Sequence, residues 1–375
     1  MTDRADVLII GGGIAGAAVG FFLAPHRKVL LVEREAHYGY HSSGRSAAEW
    51  TASHYTGLMR GLVLFSKPFF ETPPKGFASV PLYRPRGNIL FALPGEESIA
   101  DDLYREVGPL NPQLEEISAR RAVEIVPFLR PEVLGRSFYD PDNAEIEVDA
   151  LHQGYLRGIR IAGGRTIAGV EFQGAERHSS GWRARIGAET VEVDTIVNAA
   201  GAWADTVAGL AGVAPLGLEP RRRTALTFDP GFATRAVPPV DEIGSGFYFK
   251  GDAAALMVSP GDQTPSAPCD AQPEELDLAI AVDRFERYTT VEIRKFQSRW
   301  AGLRTFARDE LPVVGRAVDE PEFVWLAGQG GFGIMTSPTL GELAALIVRN
   351  ESFPARALEF GLLPQWLSPR RLTDG

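Results

Sequence analysis

The sequence predicts an α/β fold in which a parallel-sheet domain, discontinuous along the chain, is interleaved with an antiparallel-sheet α+β domain. Three observations predict it. Asp6 to Glu33 reads as strand, glycine turn, helix and strand; a strand emptying into glycine and small residues returns at 198–203 and 328–333; and between these lie short strands rich in aromatics. At 375 residues the chain exceeds one typical core, so two domains or an interleaved pair are expected.

The opening stretch is DVLIIGGGIAGAAVGFFLAPHRKVLLVE. A short apolar run ends in Gly11-Gly12-Gly13-Ile14-Ala15-Gly16, a small-residue helix follows, and Val29 to Val32 forms a second strand closing on Glu33. In that context the glycines mark a dinucleotide site: Gly11 permits the tight turn, Gly13 lets backbone approach a pyrophosphate, and Gly16 lets the helix pack closely on its strand. The pyrophosphate is expected at the helix N-terminus, where unpaired N–H groups and the dipole favour negative charge. Glu33, 22 residues after Gly11, stands where a carboxylate accepts both ribose hydroxyls and repels a 2′-phosphate. Val7 to Ala24 carries no charge over 18 residues, yet the four glycines packed between Gly11 and Gly16 and the Asp6 at its head argue against a membrane span. Asp3 and Asp6 also spoil the basic start of a signal peptide.

Residues 41–50, HSSGRSAAEW, set two serines and a glycine before Arg45-Ser46-Ala47-Ala48, which reads as an N-cap opening a helix and a second anion-friendly helix end. Leu58 to Lys67 is an amphipathic helix stopped or kinked at Pro68. Gly87 to Leu93 reads as a strand, and Glu96 to Val107 and Ser118 to Val126 as helices. Asp149 to Ala162 is a helix with Asp149 as N-cap. Thr166 to Phe172, Trp182 to Ile186 and Thr190 to Val197 are spaced like a β-meander. The last of them runs into Asn198-Ala199-Ala200-Gly201-Ala202-Trp203 and a short helix, so the parallel-sheet domain resumes there. From Pro215 to about Arg294 come strands with aromatics, Thr224 to Phe228, Phe247 to Lys250 and Ala255 to Val258, with a helix at Pro273 to Tyr288. Trp300 to Arg316 then leads to a strand at Phe323 to Ala327, the run Gly328-Gln329-Gly330-Gly331-Phe332-Gly333, and a helix at Thr336 to Val348. Three strand–glycine–helix junctions suit one long cofactor better than three separate ligands.

Composition narrows the function. An apolar content of 45% with 23% charge describes a soluble globular protein, and the net charge of −10 disfavours nucleic acid and anionic membranes as partners. Cys269 is the only cysteine, so no intrachain disulfide or thiolate cluster forms, which suits a reducing cytoplasm. The six histidines show no ligand spacing, and no metal site is expected.

With GGGIAG and Glu33, SSGRSAA, VNAAGAW, WAGLRTFARDELPVVG and GQGGFG in this order, the chain resembles the D-amino-acid oxidase-like FAD-dependent oxidoreductases of the glycine oxidase and sarcosine oxidase type. Within them it looks most like the FAD-dependent D-arginine dehydrogenases, through GYHSSGRSAA, LHQGYLRGIR, VNAAGAW, AGLAGV, PLGLEPRRR, WAGLR and LSPRRL. The resemblance covers practically the whole length. It implies an FAD-binding Rossmann-like domain (1–80, 145–215 and 300–375) interleaved with an antiparallel-sheet α+β substrate domain (81–144 and 216–299). It also implies noncovalent FAD, since Cys269 lies outside WAGLRTF and the C-terminal glycine motif. Gly11, Gly13, Ile14, Ala15 and Gly16 would stand at the pyrophosphate, and Glu33 and Arg34 near the ribose. Ser43, Arg45, Ser46 and Ala47 would run along the pyrophosphate and ring, Val170 would flank the adenine, and Ala200 and Trp203 would line the channel. Gly330, Gly331, Gly333, Ile334, Met335 and Thr336 would hold the flavin pyrimidine edge, where a helix N-terminus stabilises the anionic reduced flavin by about 0.3–2 kcal/mol.

The implied activity is oxidation of the Cα–N bond of a D-amino acid by hydride transfer to flavin N5, giving an imino acid that hydrolyses to a 2-oxo acid and ammonia. Arg223, Arg304 and Tyr248 correspond to the carboxylate clamp, with Gly302 beside them. Two guanidiniums on one carboxylate make charge-assisted bonds of roughly 1.5–3 kcal/mol each. The pattern of the D-arginine dehydrogenases is altered at three places: Glu49 stands for a histidine, His54 for a lid tyrosine, and Asn88 for the glutamate that grips a substrate guanidinium. A cationic substrate is therefore not expected unless Glu49 takes over that role. His54, Glu49 and Tyr248 are the candidate acceptors of the amine proton, and histidine's ordinary pKa of about 6.5 suits the task. The electron acceptor stays open between oxygen and a quinone or carrier. Oxidation of a 2-hydroxy acid or N-methyl amino acid on the same scaffold, and a flavin-carrying subunit without catalysis, stay open as alternatives. The expected location is the cytoplasm, with peripheral membrane association open and no integral membrane segment.

Overall fold

Apolar runs with no polar face must be covered on both sides, and the first two are. β1 (Asp3–Ile10) and β2 (Val29–Glu33) lie parallel, and α1 (Ile14–Leu23) makes the crossover between them. The computed structural model describes residues 3–178 and 181–373. The helix expected within 41–50 is instead a single 3-10 turn, Ser42–Arg45, followed by the short strand β3 (Glu49–Trp50). Long-range bonds hold the segment in that shape. Ser42 Oγ donates to the Leu303 carbonyl at 2.5 Å, Arg45 donates to the carbonyls of Ala301 and Ala271 at 2.7 and 3.0 Å, and Ala48 takes a φ of +63° that no helix accommodates. α2 (Gly57–Glu71) contains Pro68 rather than ending before it.

The next stretch feeds a different sheet. β4 (Tyr83–Pro85), β5 (Asn88–Phe91), α3 (Glu97–Val107), β6 (Glu115–Ile117), α4 (Ala119–Ile125), β7 (Ser137–Asp140) and β8 (Ala144–Ile146) follow in turn. β3, β8 and β4 form a small sheet of their own. The chain then returns through α5 (Val148–Ile161), capped by Glu147 and not by Asp149. β9 (Arg165–Ala168) is not the first strand of the expected meander: it pairs parallel with β2. The meander is β10 (Phe172–His178), β11 (Gly181–Ile186) and β12 (Glu189–Asn198), and β12 closes beside β1. α6 (Ala204–Leu210) follows.

The second large sheet is completed by β13 (Glu219–Phe228), β14 (Val240–Glu242), β15 (Tyr248–Asp252), β16 (Ala255–Ser259) and β17 (Thr264–Pro265). After α7 (Glu275–Tyr288), β18 (Ser298–Phe306) pairs antiparallel along almost all of β13. The domain boundary expected at residue 300 thus falls inside a strand of the second sheet, and the first sheet resumes at β19 (Val313–Arg316) and β20 (Phe323–Ala327). α8 (Ser337–Val348) packs back on α1. The first sheet runs β10-β11-β12-β1-β2-β9 with β20 on the C-terminal half of β12; the second runs β17-β13-β16-β15-β14-β5-β7-β6 with β18 on β13. The architecture is the mixed α/β, two-sheet fold that the sequence predicts. Among the described residues no helix is long and apolar enough to cross a membrane.

Candidate functional site

A cavity of about 650 Å³ is walled by both large sheets. Of the residues singled out in the sequence, all but Gly16, Asn88 and Thr336 line it. At one end lies the β1–α1 turn. Gly11 has a φ of +106°, and a Cβ there would stand 2.5 Å from the Ala199 carbonyl oxygen. A Cβ on Gly16 would fall on the Gly11 carbonyl oxygen, so Gly16 acts by letting helix meet strand and does not reach the cavity. Glu33 is held at the end of β2 by two backbone donors, Gly12 N–H at 2.7 Å and Glu35 N–H at 2.9 Å, which leaves acceptor sites on its carboxylate toward the cavity. Ser43 Oγ accepts from Ile14 N–H at 2.9 Å and ties the 3-10 turn to the start of α1. His152, which the sequence reading passed over, donates from Nε2 to the Gly12 carbonyl at 2.9 Å; burial lowers its pKa and keeps it neutral. Arg34 lies 4.5 Å over the Trp203 ring and pairs with Glu35 at 2.8 Å.

Arg223 and Arg304 stand at the other end. In the β13–β18 ladder Arg223 is opposite Gly302 and Arg304 opposite Arg221, so both guanidiniums leave the same face of the sheet, two residues apart in register. Gly302 contributes no side chain on its rung, and a Cβ there would stand 3.5–3.8 Å from atoms of Arg45 and Ser42. Arg223 Nε donates to the Asp262 carbonyl at 2.8 Å. Burial, with Arg304 nearby, pushes the Arg223 pKa down to about 10, while Tyr248 beside it favours the charged form. The Arg304 guanidinium makes no hydrogen bond or ion pair among the described residues. A guanidinium facing a cavity beside a second one, with no carboxylate of its own, is a site for an anion.

Beyond Tyr248 the wall turns acidic. Glu49 on β3 and Asp241 on β14 both line the cavity, and Asp241 lies directly across from Tyr248 in the β14–β15 pair. Burial raises the pKa of each carboxyl to about 7, and for Glu49 the nearby Asp241 raises it further while Lys250 opposes the shift. Asn88, fully buried, lies outside the cavity lining and donates from Nδ2 to Asp241 Oδ2 at 2.8 Å. Burial lowers the His54 pKa, so this histidine is neutral at pH 7, and its Nε2 is buried without a partner. Sequence reasoning missed Asp241 and Tyr55. Tyr55 reaches the cavity against Phe332, ring centroids 5.0 Å apart, and burial pushes its hydroxyl pKa up.

The residues present fit FAD. The glycine cradle and Glu33 suit the adenosine half. On the wall between cradle and arginines, Thr305 Oγ1 and Gln329 Nε2 are buried without partners, on neighbouring segments joined by Gly330 N–H to the Thr305 carbonyl at 2.9 Å. Unsatisfied buried polar atoms on a cavity wall mark where a ligand's polar edge belongs. Gly330 to Met335 carry the wall on to α8, whose N-cap Thr336 turns its hydroxyl back to the Phe332 carbonyl at 2.8 Å instead of toward the cavity. Cys269 is exposed and stands outside the cavity lining. Among the described residues no group of His, Cys, Asp and Glu could hold a metal ion.

Comparison with known proteins bears on the cofactor. A family model described as "FAD dependent oxidoreductase" matches residues 6–346. The glycine oxidase of Geobacillus kaustophilus is 26% identical over 376 residues, covering 94% of this chain and 95% of that protein. The FAD-dependent oxidoreductase domain-containing protein 1 of Bos taurus is 24% identical, covering 94% and 82%. Among solved structures, G. kaustophilus glycine oxidase superposes with a TM-score of 0.83 at 23% identity over 96% of this chain and 99% of that one. L-proline dehydrogenase from P. horikoshii does so with a TM-score of 0.84 at 18% identity over 100% and 99%.

Proposed function

This chain belongs to the FAD-dependent oxidoreductase family, and from that premise we propose that it oxidises the Cα–N bond of an amino acid, a D-amino acid by its motifs, to an imino acid that hydrolyses to a 2-oxo acid and ammonia. The observation that carries this reading is Arg304, a guanidinium on the cavity wall without a partner among the described residues, beside the buried Arg223. Together they would seat the substrate carboxylate bidentately, with Tyr248 at its side. A bound flavin supplies the hydride acceptor, and the protein supplies orientation, exclusion of water and proton handling. Thr305, Gln329 and the 330–335 segment would hold the flavin, and Gly11, Gly13 and Glu33 its adenosine half.

The acidic wall favours an amine over an alcohol. A substrate with a carboxylate at one end and an ammonium beside it matches two arginines at one end and Glu49 with Asp241 at the other. A 2-hydroxy acid would leave the acidic end without a cation. His54, held neutral by burial, is a poorer resting proton acceptor than its ordinary pKa implies. The test is anaerobic mixing of the purified yellow holoenzyme with D- and L-amino acids, N-methyl amino acids and matching 2-hydroxy acids. Bleaching of the oxidised-flavin band by D-amino acids is expected. Bleaching by 2-hydroxy acids alone would move the assignment to the alcohol, and bleaching by neither class would refute both.

A further inference from the structure

Glu49 and Asp241 come from distant parts of the chain, both face the cavity, and lie within electrostatic reach of one another. Asp241 is fixed by Asn88 Nδ2 at 2.8 Å, and stands across the β14–β15 pair from Tyr248, where facing Cβ atoms lie about 4.5–5.5 Å apart. Glu49 comes in from β3 with its Oε1 buried and unpartnered. Neither carboxylate has an ion pair among the described residues. The groups facing them are otherwise engaged. Arg86 pairs with Glu145, which lies opposite Glu49 across β3–β8 and also holds Arg84; Lys250 donates its Nζ to the Ala47 carbonyl; and His54 is neutral, with Asp140 behind it. Its bond to a neutral carbonyl leaves Lys250 its charge, which offsets one of the two negative charges, and among the described residues no unpaired cation offsets the second.

We propose that Glu49 and Asp241 work as one carboxyl pair that shares a single proton in the free enzyme, gives it up to solvent when a substrate ammonium arrives, and takes a proton back from that ammonium before the Cα–H bond breaks. The proposal rests on the reading that Arg223 and Arg304 seat the carboxylate. Charge balances at each stage. On binding, one proton leaves and one ammonium charge replaces it; then an N–H bond breaks and an O–H bond forms on Glu49, leaving a neutral amine with its lone pair free and no change of oxidation state. Two like charges within electrostatic reach on a low-dielectric wall resist ionising together, so the pair behaves as one titrating unit instead of two independent acids. Asn88 is a positioning residue for Asp241, while Glu49 is the group that meets the amine.

The test uses holoenzyme and two probes that cannot be oxidised because they carry no α-hydrogen next to nitrogen: 2-aminoisobutyrate, and isobutyrate as its nitrogen-free counterpart. Calorimetric titration at pH 7 in buffers of different ionisation enthalpy reads proton release. About one proton per site is expected to leave with 2-aminoisobutyrate and none with isobutyrate, and Glu49→Gln should abolish the release. In stopped-flow reduction by the best amino acid of the panel, Glu49→Gln should slow reduction about 10²-fold at pH 7 with partial recovery at high pH, whereas Asp241→Asn should move the pH profile toward acid with smaller loss of rate. If Glu49→Gln does not fold, the shifted profile of Asp241→Asn decides the matter. Equal proton release from both probes, or wild-type pH profiles in both variants, would overturn the pair. Failure of both probes to bind, with no amino acid bleaching the flavin, would instead overturn the carboxylate reading beneath it.

Discussion

Replacing Arg304 by methionine isolates the carboxylate clamp. Methionine keeps much of the bulk beside Gly331, where an added Cβ would already sit 3.0 Å from the Arg304 guanidinium, so the flavin wall stays filled. What is lost is one charged partner of the substrate. Two charge-assisted hydrogen bonds at roughly 1.5–3 kcal/mol each set the gross loss. Arg223 recovers part of it, because even with its pKa held down to about 10 by burial and by Arg304 it stays charged at neutral pH and can still hold one carboxylate oxygen. A net loss of about 3 kcal/mol is expected, or about a 10²-fold rise in the dissociation constant of a simple carboxylate. The assay is titration of the holoenzyme with isobutyrate, followed by perturbation of the flavin spectrum, with FAD content read from the ratio of flavin to protein absorbance. A dissociation constant that moves less than about threefold, with full FAD content, would show that Arg304 is not a carboxylate ligand.

Gly16→Ala should give a protein that purifies without flavin and melts at lower temperature, since its Cβ falls on the Gly11 carbonyl; normal FAD content would show that the α1–β1 contact can open without harm. Thr305→Val and Gln329→Leu should each weaken FAD binding about 3–10-fold, the worth of one hydrogen bond, and unchanged affinity in fluorescence titration would remove these residues from the flavin site. Asp241 titrates near ~3.9 in an unfolded chain but is pushed up to about 7 by burial, so the folded state binds the proton more tightly and loses stability as pH rises through that range. Asp241→Asn removes that cost, and its gain in melting temperature should grow from pH 5 to pH 8; a gain that is flat or falls with pH would contradict the buried carboxyl.

Local chemistry was legible in the sequence wherever a motif is its own structure. Asp6 to Glu33 folds as read because glycine conformation and strand pairing there depend on residues within the same stretch. Residues 41–50 depart from their local pattern for the opposite reason: Ser42 and Arg45 bond to Leu303, Ala301 and Ala271, more than two hundred positions away, and these bonds outweigh the helix that the local pattern favours. β9 was grouped with the meander because a four-residue strand carries no mark of its partner; only its register with β2 shows that it belongs to the parallel part of the sheet. Asp241 had one faint signal, a carboxylate beside the apolar Val240 in a strand otherwise buried, but its neighbours Asn88, Glu49 and Tyr248 come from three other strands.

Asn88 shows what positional matching can and cannot carry. By its motifs the chain lacks the glutamate that would grip a guanidinium, and on that ground alone its active site would be short of negative charge. In the fold, Asn88 lies outside the cavity lining and donates its amide N–H to Asp241, while two carboxylates from other strands face the cavity. The charge has moved and has not been lost. Its new position lies directly across from Tyr248, which itself stands beside Arg223. Restoring the glutamate through Asn88→Glu should therefore bring no activity toward arginine. It would place a third carboxylate against Asp241 in a fully buried spot, break the 2.8 Å bond that fixes that residue, and lower the melting temperature. Arginine turnover in a stable Asn88→Glu protein would show instead that the side-chain pocket begins at Asn88, and that the acidic pair belongs to specificity and not to proton transfer.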